Sequence, residues 1–163
     1  GSGAIALALA SEGTFDRVIA TDIARDALAV ARGNAAHLDP AATARLRFRE
    51  GDLLLPLRGE RLDVVVSNPP YIAFDEVSEL PASVRNWEPV HALLSGDQGL
   101  SLTRRLVRAA PAVLSSGGLL ALEVDTRRAS LVAELVATNG SFHDVRVHRD
   151  LTGRERFVLG LRA

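Results

Sequence analysis

The stretch Leu62-Asp63-Val64-Val65-Val66-Ser67-Asn68-Pro69-Pro70-Tyr71 decides the fold of this chain. Its first half is a short run of β-branched apolar residues, which predicts a strand buried on both faces of a parallel sheet. The strand is expected to stop at the two prolines, because proline fixes φ and has no backbone N–H group. Open α/β sheets bind ligands just past the carboxyl ends of their strands. Residues 68–71 therefore mark the predicted site.

The residues after this strand suit a planar nitrogen group. The side chain of Asn68 offers one oxygen and one amino group, and neither is a strong base at neutral pH. A substrate group R–NH2 could donate one hydrogen to the Asn68 oxygen and the other to the backbone carbonyl of Pro69, so that its lone pair faces an electrophile. Tyr71 could lie against the flat face of that group. The structural alternative is a proline-rich turn in which Tyr71 only packs.

Length and composition bound the class of protein. A chain of 163 residues predicts one domain, and its 47% hydrophobic and 24% charged residues allow an ordinary core and surface. The net charge of −1 gives no sign of the basic face that nucleic-acid binding needs. The absence of cysteine excludes disulfides, thiolate zinc sites and cysteine nucleophiles. No apolar stretch approaches the roughly 20 residues that cross a bilayer, so no membrane association is expected.

Glycines and acids at strand ends predict a second group of binding residues. Gly1 and Gly3 precede an alanine- and leucine-rich stretch, predicted to be a helix from Ala4 to about Glu12, and such glycines let backbone amides approach a ligand closely. Asp22 ends a predicted strand about 20 residues later, the spacing at which a carboxylate reaches ribose hydroxyls. Each residue has a structural alternative: an expression linker for the glycines and an N-cap for Asp22.

Asp52 follows a third predicted strand at residues 46–50, and its structural alternative is a turn aspartate. The four histidines are scattered without the spacing of metal ligands, so no metal site is predicted.

Helices and strands alternate along the rest of the chain. Pro40 is expected to forbid continuation of the helix at residues 24–37, and residues 72–99 lack periodicity, which is typical of a functional loop. The inward stripe of the helix at 24–37 is predicted to be Ala27, Leu28, Val30, Ala31 and Ala35. The remaining predicted elements are a helix at 102–114, interrupted at Pro111 and ended by Ser115-Ser116-Gly117-Gly118, a strand at 119–124, a helix at 129–138, and strands at 143–149 and 156–161.

This order predicts an α/β fold with a doubly wound, mostly parallel sheet. The connection between the last two strands is short, which suits only an antiparallel hairpin.

Residues 68–71 resemble motif IV of the S-adenosylmethionine-dependent amino methyltransferases, which reads (Asn/Asp/Ser)-Pro-Pro-(Tyr/Phe/Trp). The form Asn-Pro-Pro-Tyr implies methylation of a planar nitrogen, either an adenine N6 or a glutamine side-chain amide. Gly-Ser-Gly at residues 1–3 resembles the second half of motif I of these enzymes, and Asp52 resembles the acid that accepts from the adenine amino group of the cofactor. The resemblance implies a class I methyltransferase fold whose first strand precedes residue 1.

The resemblance also implies roles for single residues. Binding of S-adenosylmethionine is implied for Gly1, Gly3, Asp22, Asp52 and Asn68, and binding of the substrate for Asn68, Pro69, Pro70 and Tyr71, of which Asn68, Pro69 and Tyr71 would carry the chemistry.

Nearly the whole chain is similar to the release-factor glutamine N5-methyltransferases, the PrmC/HemK family. Besides residues 68–71, the matching segments are Arg32-Gly33-Asn34-Ala35-Ala36-His37-Leu38, Asn86-Trp87-Glu88-Pro89, Ala92-Leu93, Gly117-Gly118 with Leu122-Glu123, and Arg149-Asp150-Leu151-Thr152-Gly153-Arg154-Glu155-Arg156-Phe157. The family pattern has a Gly and a Gln-Gly after its Leu-Glu strand, where this chain reads 123–129 as Glu-Val-Asp-Thr-Arg-Arg-Ala. The family's N-terminal helical domain is also absent from the chain.

The resemblance implies a cytoplasmic enzyme that methylates the glutamine of the Gly-Gly-Gln loop of class I peptide chain release factors, without direct contact to nucleic acid or membrane. Two alternatives stay open. One is an adenine-N6 methyltransferase acting on DNA or RNA, and the other is a non-catalytic methyltransferase-like module that only binds a partner.

Overall fold

The computed structural model describes residues 1–72 and 95–163. The predicted loop at 72–99 therefore lies mostly outside the described residues, together with Asn86-Trp87-Glu88-Pro89 and Ala92-Leu93. Within the described ranges, no helix is both long and apolar enough to span a membrane. The chain forms two compact units, Gly1–Arg58 and Gly59–Ala163.

The first unit contains a parallel pair of short strands with helices before and between them. Its elements are α1 (Ala4–Glu12), β1 (Val18–Asp22), α2 (Arg25–Ala35), α3 (Pro40–Arg45), β2 (Leu46–Glu50) and a 3-10 turn at Leu55–Leu57. Strand β1 pairs in parallel with β2 so that Asp22 lies opposite Glu50. Small residues of α1 and α2 pack against the starts of both strands, and this core consists of Ala6, Ala10, Val18, Ala35 and Leu46.

One prediction for this unit was wrong. Val30 was placed on the inward stripe of α2, yet it is 54% exposed, because it lies about 200° around the helix from buried Leu28. Helix α2 ends before Pro40, as predicted, and Pro40 itself begins the further helix α3. Proline suits the first helical position. The Asp39 carboxylate caps the helix by accepting from the N–H groups of Ala41 and Ala42 at 2.9 Å.

In the part that the structure describes, the second unit is a four-stranded mixed sheet with two helices. Its elements are β3 (Leu62–Ser67), α4 (Ser101–Ala109), a 3-10 turn at Ala110–Ala112, β4 (Leu114–Glu123), a 3-10 turn at Thr126–Arg128, α5 (Ala129–Ala137), β5 (Phe142–Arg149) and β6 (Glu155–Arg162). The strand order is β3-β4-β6-β5, with β3 parallel to β4 and the other neighbours antiparallel. The predicted α/β class with a C-terminal antiparallel hairpin is confirmed.

One face of this sheet forms the core of the second unit. Leu120 lies opposite Gly160, and Leu122 lies opposite Val158, so the four residues share one face of the sheet. The side chains of Leu120, Leu122 and Val158 are 0% exposed. Helix α5 packs on β5 and β6. A Cβ atom at Gly160 would lie 3.0 Å from Val136 Cγ1, which shows how closely the helix approaches the sheet.

The predicted burial of β3 on both faces was wrong. Val65 is buried, but Val66 is 39% exposed, and β3 is an outer strand of the four-stranded sheet. The start of β4 was also misplaced, because residues 115–118, predicted to end a helix, lie inside the strand. Strand β4 begins to pair with β3 directly after the 3-10 turn, where Leu114 lies opposite Leu62. The register of the pairing then shifts between Leu62 and Val64.

Candidate active site

In the first unit, a left-handed glycine turn precedes α1. Gly3 has φ +84°, and a Cβ atom there would lie 2.9 Å from both Ala31 Cβ and Leu7 Cδ1. The Asn34 side chain donates to the Ser2 carbonyl at 3.0 Å and ties the turn to α2. A larger residue at position 3 would be both strained and crowded. The turn leads into the first N–H groups of α1, which have no partner within the helix.

Asp22 lies at the carboxyl end of β1 with its side chain 22% exposed. Its Oδ1 accepts from the Ala24 N–H group at 2.8 Å, and its Oδ2 contacts the terminal amino group of Gly1. Asp22 therefore shapes the turn before α2, whereas the N-cap residue of that helix is Ala24.

Asp52 adjoins Asp22 through the backbone. The Gly51 N–H group donates to the Asp22 carbonyl at 2.9 Å, and the Asp52 carbonyl accepts from the Leu55 N–H group at 3.0 Å. The Asp52 backbone thus starts a turn, as its structural alternative predicted, while its partly buried carboxylate stands at the end of β2.

In the second unit, Asn68, Pro69, Pro70 and Tyr71 follow β3 directly. Asn68 is exposed, Pro69 is buried, and Pro70 and Tyr71 are partly buried. Burial therefore changes sharply between neighbouring residues, and Asn68 is the accessible residue of the four.

Residues 95–99 hold the chain just after the tetrapeptide. The Ser95 N–H group donates to the Ile72 carbonyl at 2.9 Å. Asp97, Gln98 and Gly99 have φ of +54°, +52° and +85°, so three consecutive residues are left-handed. A Cβ atom at Gly99 would lie 2.1 Å from the Tyr71 carbonyl oxygen, a contact that only glycine permits.

Arg128 fixes this left-handed turn, and sequence reasoning missed it. The residue is 8% exposed, and its Nε donates to the Gln98 carbonyl at 2.7 Å. In the sequence Arg128 is one of two adjacent arginines in a segment that departs from the family pattern. Nothing local distinguishes the buried one from its neighbour Arg127, whose side chain is 60% exposed.

Charged groups surround Tyr71. Burial raises the pKa of Tyr71 above its ordinary value, and the negative charge of Glu123 raises it further. The positive charge of Arg156 lowers this pKa, whereas the negative charge of Asp125 raises it. Arg156 is held beside the end of β4, because its guanidinium donates to the Val124 carbonyl at 3.3 Å. The Tyr71 hydroxyl therefore stays protonated and neutral at physiological pH.

The turn of the β5–β6 hairpin is organised by a single carboxylate. Asp150 Oδ1 accepts from the Thr152 hydroxyl at 2.6 Å, the Thr152 N–H group at 2.8 Å and the Arg154 N–H group at 3.0 Å. The hydrogen bond from the Thr152 side chain is the largest cause that lowers the pKa of Asp150. Its second oxygen lies 3.7 Å from Arg156 Nε, so the hairpin turn supports the arginine that faces Tyr71.

Metal-binding geometry does not occur in the described ranges: among residues 1–72 and 95–163, no three His, Cys, Asp or Glu side chains could hold an ion. His37, His143 and His148 are exposed, and His91 lies outside the described residues.

Comparison with known proteins gives one family model and many named relatives. Residues 1–83 match the model described as methyltransferase small domain. The chain is 45% identical over 162 residues to the release factor glutamine methyltransferase of Moorella thermoacetica, which covers 99% of this chain and 56% of that protein. It is 44% identical over 158 residues to the release factor glutamine methyltransferase of Cereibacter sphaeroides, with 97% and 55% covered. The chain spans about half the length of the curated relatives it matches.

Solved structures agree on the fold. A ribosomal protein L11 methylase from Lactobacillus delbrueckii subsp. bulgaricus has a TM-score of 0.66 at 20% identity, covering 99% of this chain and 65% of its own. The glycopeptide N-methyltransferase MtfA, complexed with S-adenosyl-L-homocysteine, has a TM-score of 0.66 at 13% identity, covering 100% of this chain and 78% of its own. At such identities the likeness shows the fold alone, and it confirms the class I methyltransferase fold.

The charges around Tyr71 give a titration that can be measured. Glu123→Gln should lower the pKa of Tyr71, and Arg156→Gln should raise it, because the two charges act in opposite directions. The readout is 13C NMR of tyrosine labelled at Cζ, with Tyr71→Phe assigning the signal. Any stability that the raised pKa contributes is complete below the unfolded-state pKa and is lost as the pH rises through the folded-state pKa.

Glu134→Gln, at an exposed position of α5, is the matched control and should leave the pKa of Tyr71 unchanged. A Tyr71 pKa that does not respond to Glu123→Gln would contradict the described surroundings of the ring.

Proposed function

We propose the function of this chain from one premise: it belongs to the methyltransferase small domain family. The proposed reaction is transfer of a methyl group from S-adenosylmethionine to the side-chain amide nitrogen of a glutamine in a protein. The proposed substrate is a glutamine of a release factor, as in the names of the relatives from Moorella thermoacetica and Cereibacter sphaeroides. The family resemblance of the sequence implies that this glutamine lies in the Gly-Gly-Gln loop of a class I peptide chain release factor. Such a substrate would place the enzyme in the cytoplasm. The observation that carries the proposal is an exposed Asn68 beside a buried Pro69 at the end of β3.

The first unit has residues that fit S-adenosylmethionine. The left-handed Gly3 has no room for a Cβ atom, and the N–H groups at the start of α1 suit a carboxylate. The Asp22 carboxylate can accept from ribose hydroxyls beyond the contacts it already makes, because two carboxylate oxygens offer about four acceptor positions. Asp52 is proposed to accept from the adenine amino group. When bound, S-adenosylmethionine supplies an electrophilic methyl group on a sulfonium.

The tetrapeptide would hold the substrate nitrogen. A glutamine amide is a poor nucleophile, since its lone pair is delocalised into the carbonyl. The Asn68 oxygen and the Pro69 carbonyl can accept the two amide hydrogens, and the ring of Tyr71 can fix the amide plane. Positioning of this kind converts a slow bimolecular encounter into an oriented one. Positive charge grows on the nitrogen during attack, so both acceptors bind the transition state more strongly than the ground state.

A glutamine side chain fits this chain better than an adenine base. Glycine neighbours lack Cβ atoms, so the glutamine of a Gly-Gly-Gln loop can enter a narrow pocket with little hindrance. An adenine drawn from a duplex would need its unstacking cost offset by phosphate contacts. The net charge of −1 offers no general basic surface for them.

The cofactor assignment predicts a loss of affinity at Asp22. Asp22→Ala in the full-length protein should weaken S-adenosylmethionine binding by about 1.5–3 kcal/mol, the range for a hydrogen bond to a charged group. Isothermal titration calorimetry measures this directly. Asp26→Ala removes an equally charged, exposed residue in the first turn of α2 and should leave binding unchanged. Unchanged affinity in Asp22→Ala would remove that residue from the site.

The substrate assignment predicts a loss of turnover at Asn68. Asn68→Ala should lower kcat by about 10²–10³-fold, the scale for removing one preorganised polar contact, while the affinity for S-adenosylmethionine stays nearly constant. Ser116→Ala, at an exposed position near the amino end of β4, is the control. Near-normal turnover in Asn68→Ala would sink the proposed role.

The proposed substrate is tested by where the methyl group goes. The full-length protein with radiolabelled S-adenosylmethionine should label a class I release factor, and Gln→Ala in the Gly-Gly-Gln loop should abolish the label. Label in DNA or RNA, with none in the release factor, would instead establish the adenine alternative.

A further inference from the structure

The carboxylate of Glu123 has no partner in the part of the chain that the structure describes. Glu123 is the last residue of β4 and is partly buried. Within residues 1–72 and 95–163, no hydrogen bond or ion pair engages its side chain. A partly buried carboxylate with no partner among the described residues has acceptor positions that a substrate group could occupy.

The sheet places this carboxylate next to the tetrapeptide. Strands β3 and β4 run in parallel, with Ser67 opposite Leu122. Asn68 and Glu123 are the residues that follow this pair, one on each strand. Neighbouring strands lie about 4.8 Å apart, which is within reach of a glutamate side chain. Leu122 is 0% exposed on the helix-covered face, so Glu123 points to the other face.

A second observation agrees with this placement. The charge of Glu123 raises the pKa of Tyr71, after burial the largest cause, so the carboxylate lies near the ring that is proposed to face the substrate.

The other acids near the site are engaged. Asp125 Oδ1 is 3.0 Å from Arg127 Nε and accepts the Arg127 N–H group at 2.8 Å. Burial alone would raise the pKa of Asp125, but these hydrogen bonds lower it. Asp150 accepts three hydrogen bonds within its own hairpin turn. Among these three acids, Glu123 is therefore the one whose carboxylate has no hydrogen-bond or ion-pair partner within residues 1–72 and 95–163.

Methylation of an amide nitrogen leaves one proton too many. The nitrogen lone pair forms the new bond to the methyl carbon, and the electron pair of the methyl–sulfur bond stays on sulfur. The nitrogen then carries two hydrogens and a positive charge, and one N–H bond must give up its proton. Asn68 and the Pro69 carbonyl can accept hydrogen bonds but are too weakly basic to keep that proton.

We propose that Glu123 is a catalytic residue whose carboxylate takes this proton, directly or through one water molecule. The N–H electron pair returns to the nitrogen, the proton passes to a Glu123 oxygen, and solvent removes it after product release. The negative charge also favours the positive charge that grows on the nitrogen during attack. The inference rests on the proposed function, because it concerns a nitrogen held by Asn68.

The test compares charge-removing variants of the full-length protein. Glu123→Gln keeps the shape of the side chain and should lower kcat for the release factor by about 10²-fold, the lower end for general base catalysis, with KM nearly unchanged. Glu123→Asp should retain more activity than Glu123→Gln, because it keeps a carboxylate. Glu134→Gln removes an equal charge from exposed α5 and should behave as wild type.

Rescue separates proton transfer from a structural role. Glu123→Ala should regain activity when formate is added, because formate can enter the vacated space and accept the proton. Near-normal kcat in Glu123→Gln, or a loss in Glu123→Ala that formate does not restore, would overturn the proposal.

Running each variant on a release factor and on an adenine oligonucleotide keeps the two proposals apart. If wild type methylates only the oligonucleotide, glutamine methylation fails. The same variants then test Glu123 on adenine, whose amino nitrogen must also lose a proton.

Discussion

The parallel pairing of β3 with β4 is the constraint on which the second unit depends. It puts Leu120 and Leu122 on the face that packs the core, and it ends both strands at the same edge of the sheet. Because the strands end together, Asn68 leaves one of them where Glu123 ends the other. The same pairing thus supports the core and places Asn68 and Glu123 at the same edge of the sheet.

Backbone anchoring and side-chain access are divided between neighbouring residues. Pro69 is buried and the Tyr71 carbonyl abuts Gly99, while the side chain of Asn68 remains exposed. A left-handed conformation of a residue other than glycine costs about 1–3 kcal/mol. It persists only where the surrounding structure stabilises it. The hydrogen bond from Arg128 to the Gln98 carbonyl is one such stabilising contact. A rigid backbone here suits a site that works by positioning a weak nucleophile.

Sequence reasoning found the elements whose signals are local. The end of β3, the start of α1 and the final hairpin were predicted correctly. Each follows from a local restriction of the backbone: the prolines at 69 and 70, the glycines before α1 and the short connection at Asp150. The exposure of Val66 and the burial of Arg128 depend on which elements pack together, and no neighbouring residue encodes that. For the site, the residue types suggested the proposed chemistry, whereas the lack of a partner for Glu123 among residues 1–72 and 95–163 became visible only in three dimensions.

Asn68 and the Pro69 carbonyl are proposed to hold a glutamine amide. The most direct measurement is a crystal structure of the full-length protein with an unreactive S-adenosylmethionine analogue and a peptide containing Gly-Gly-Gln. The glutamine nitrogen is expected about 3 Å from both the Asn68 side-chain oxygen and the Pro69 carbonyl oxygen, with the Tyr71 ring against the amide plane. A glutamine side chain bound elsewhere, or an Asn68 turned away from it, would contradict the claim.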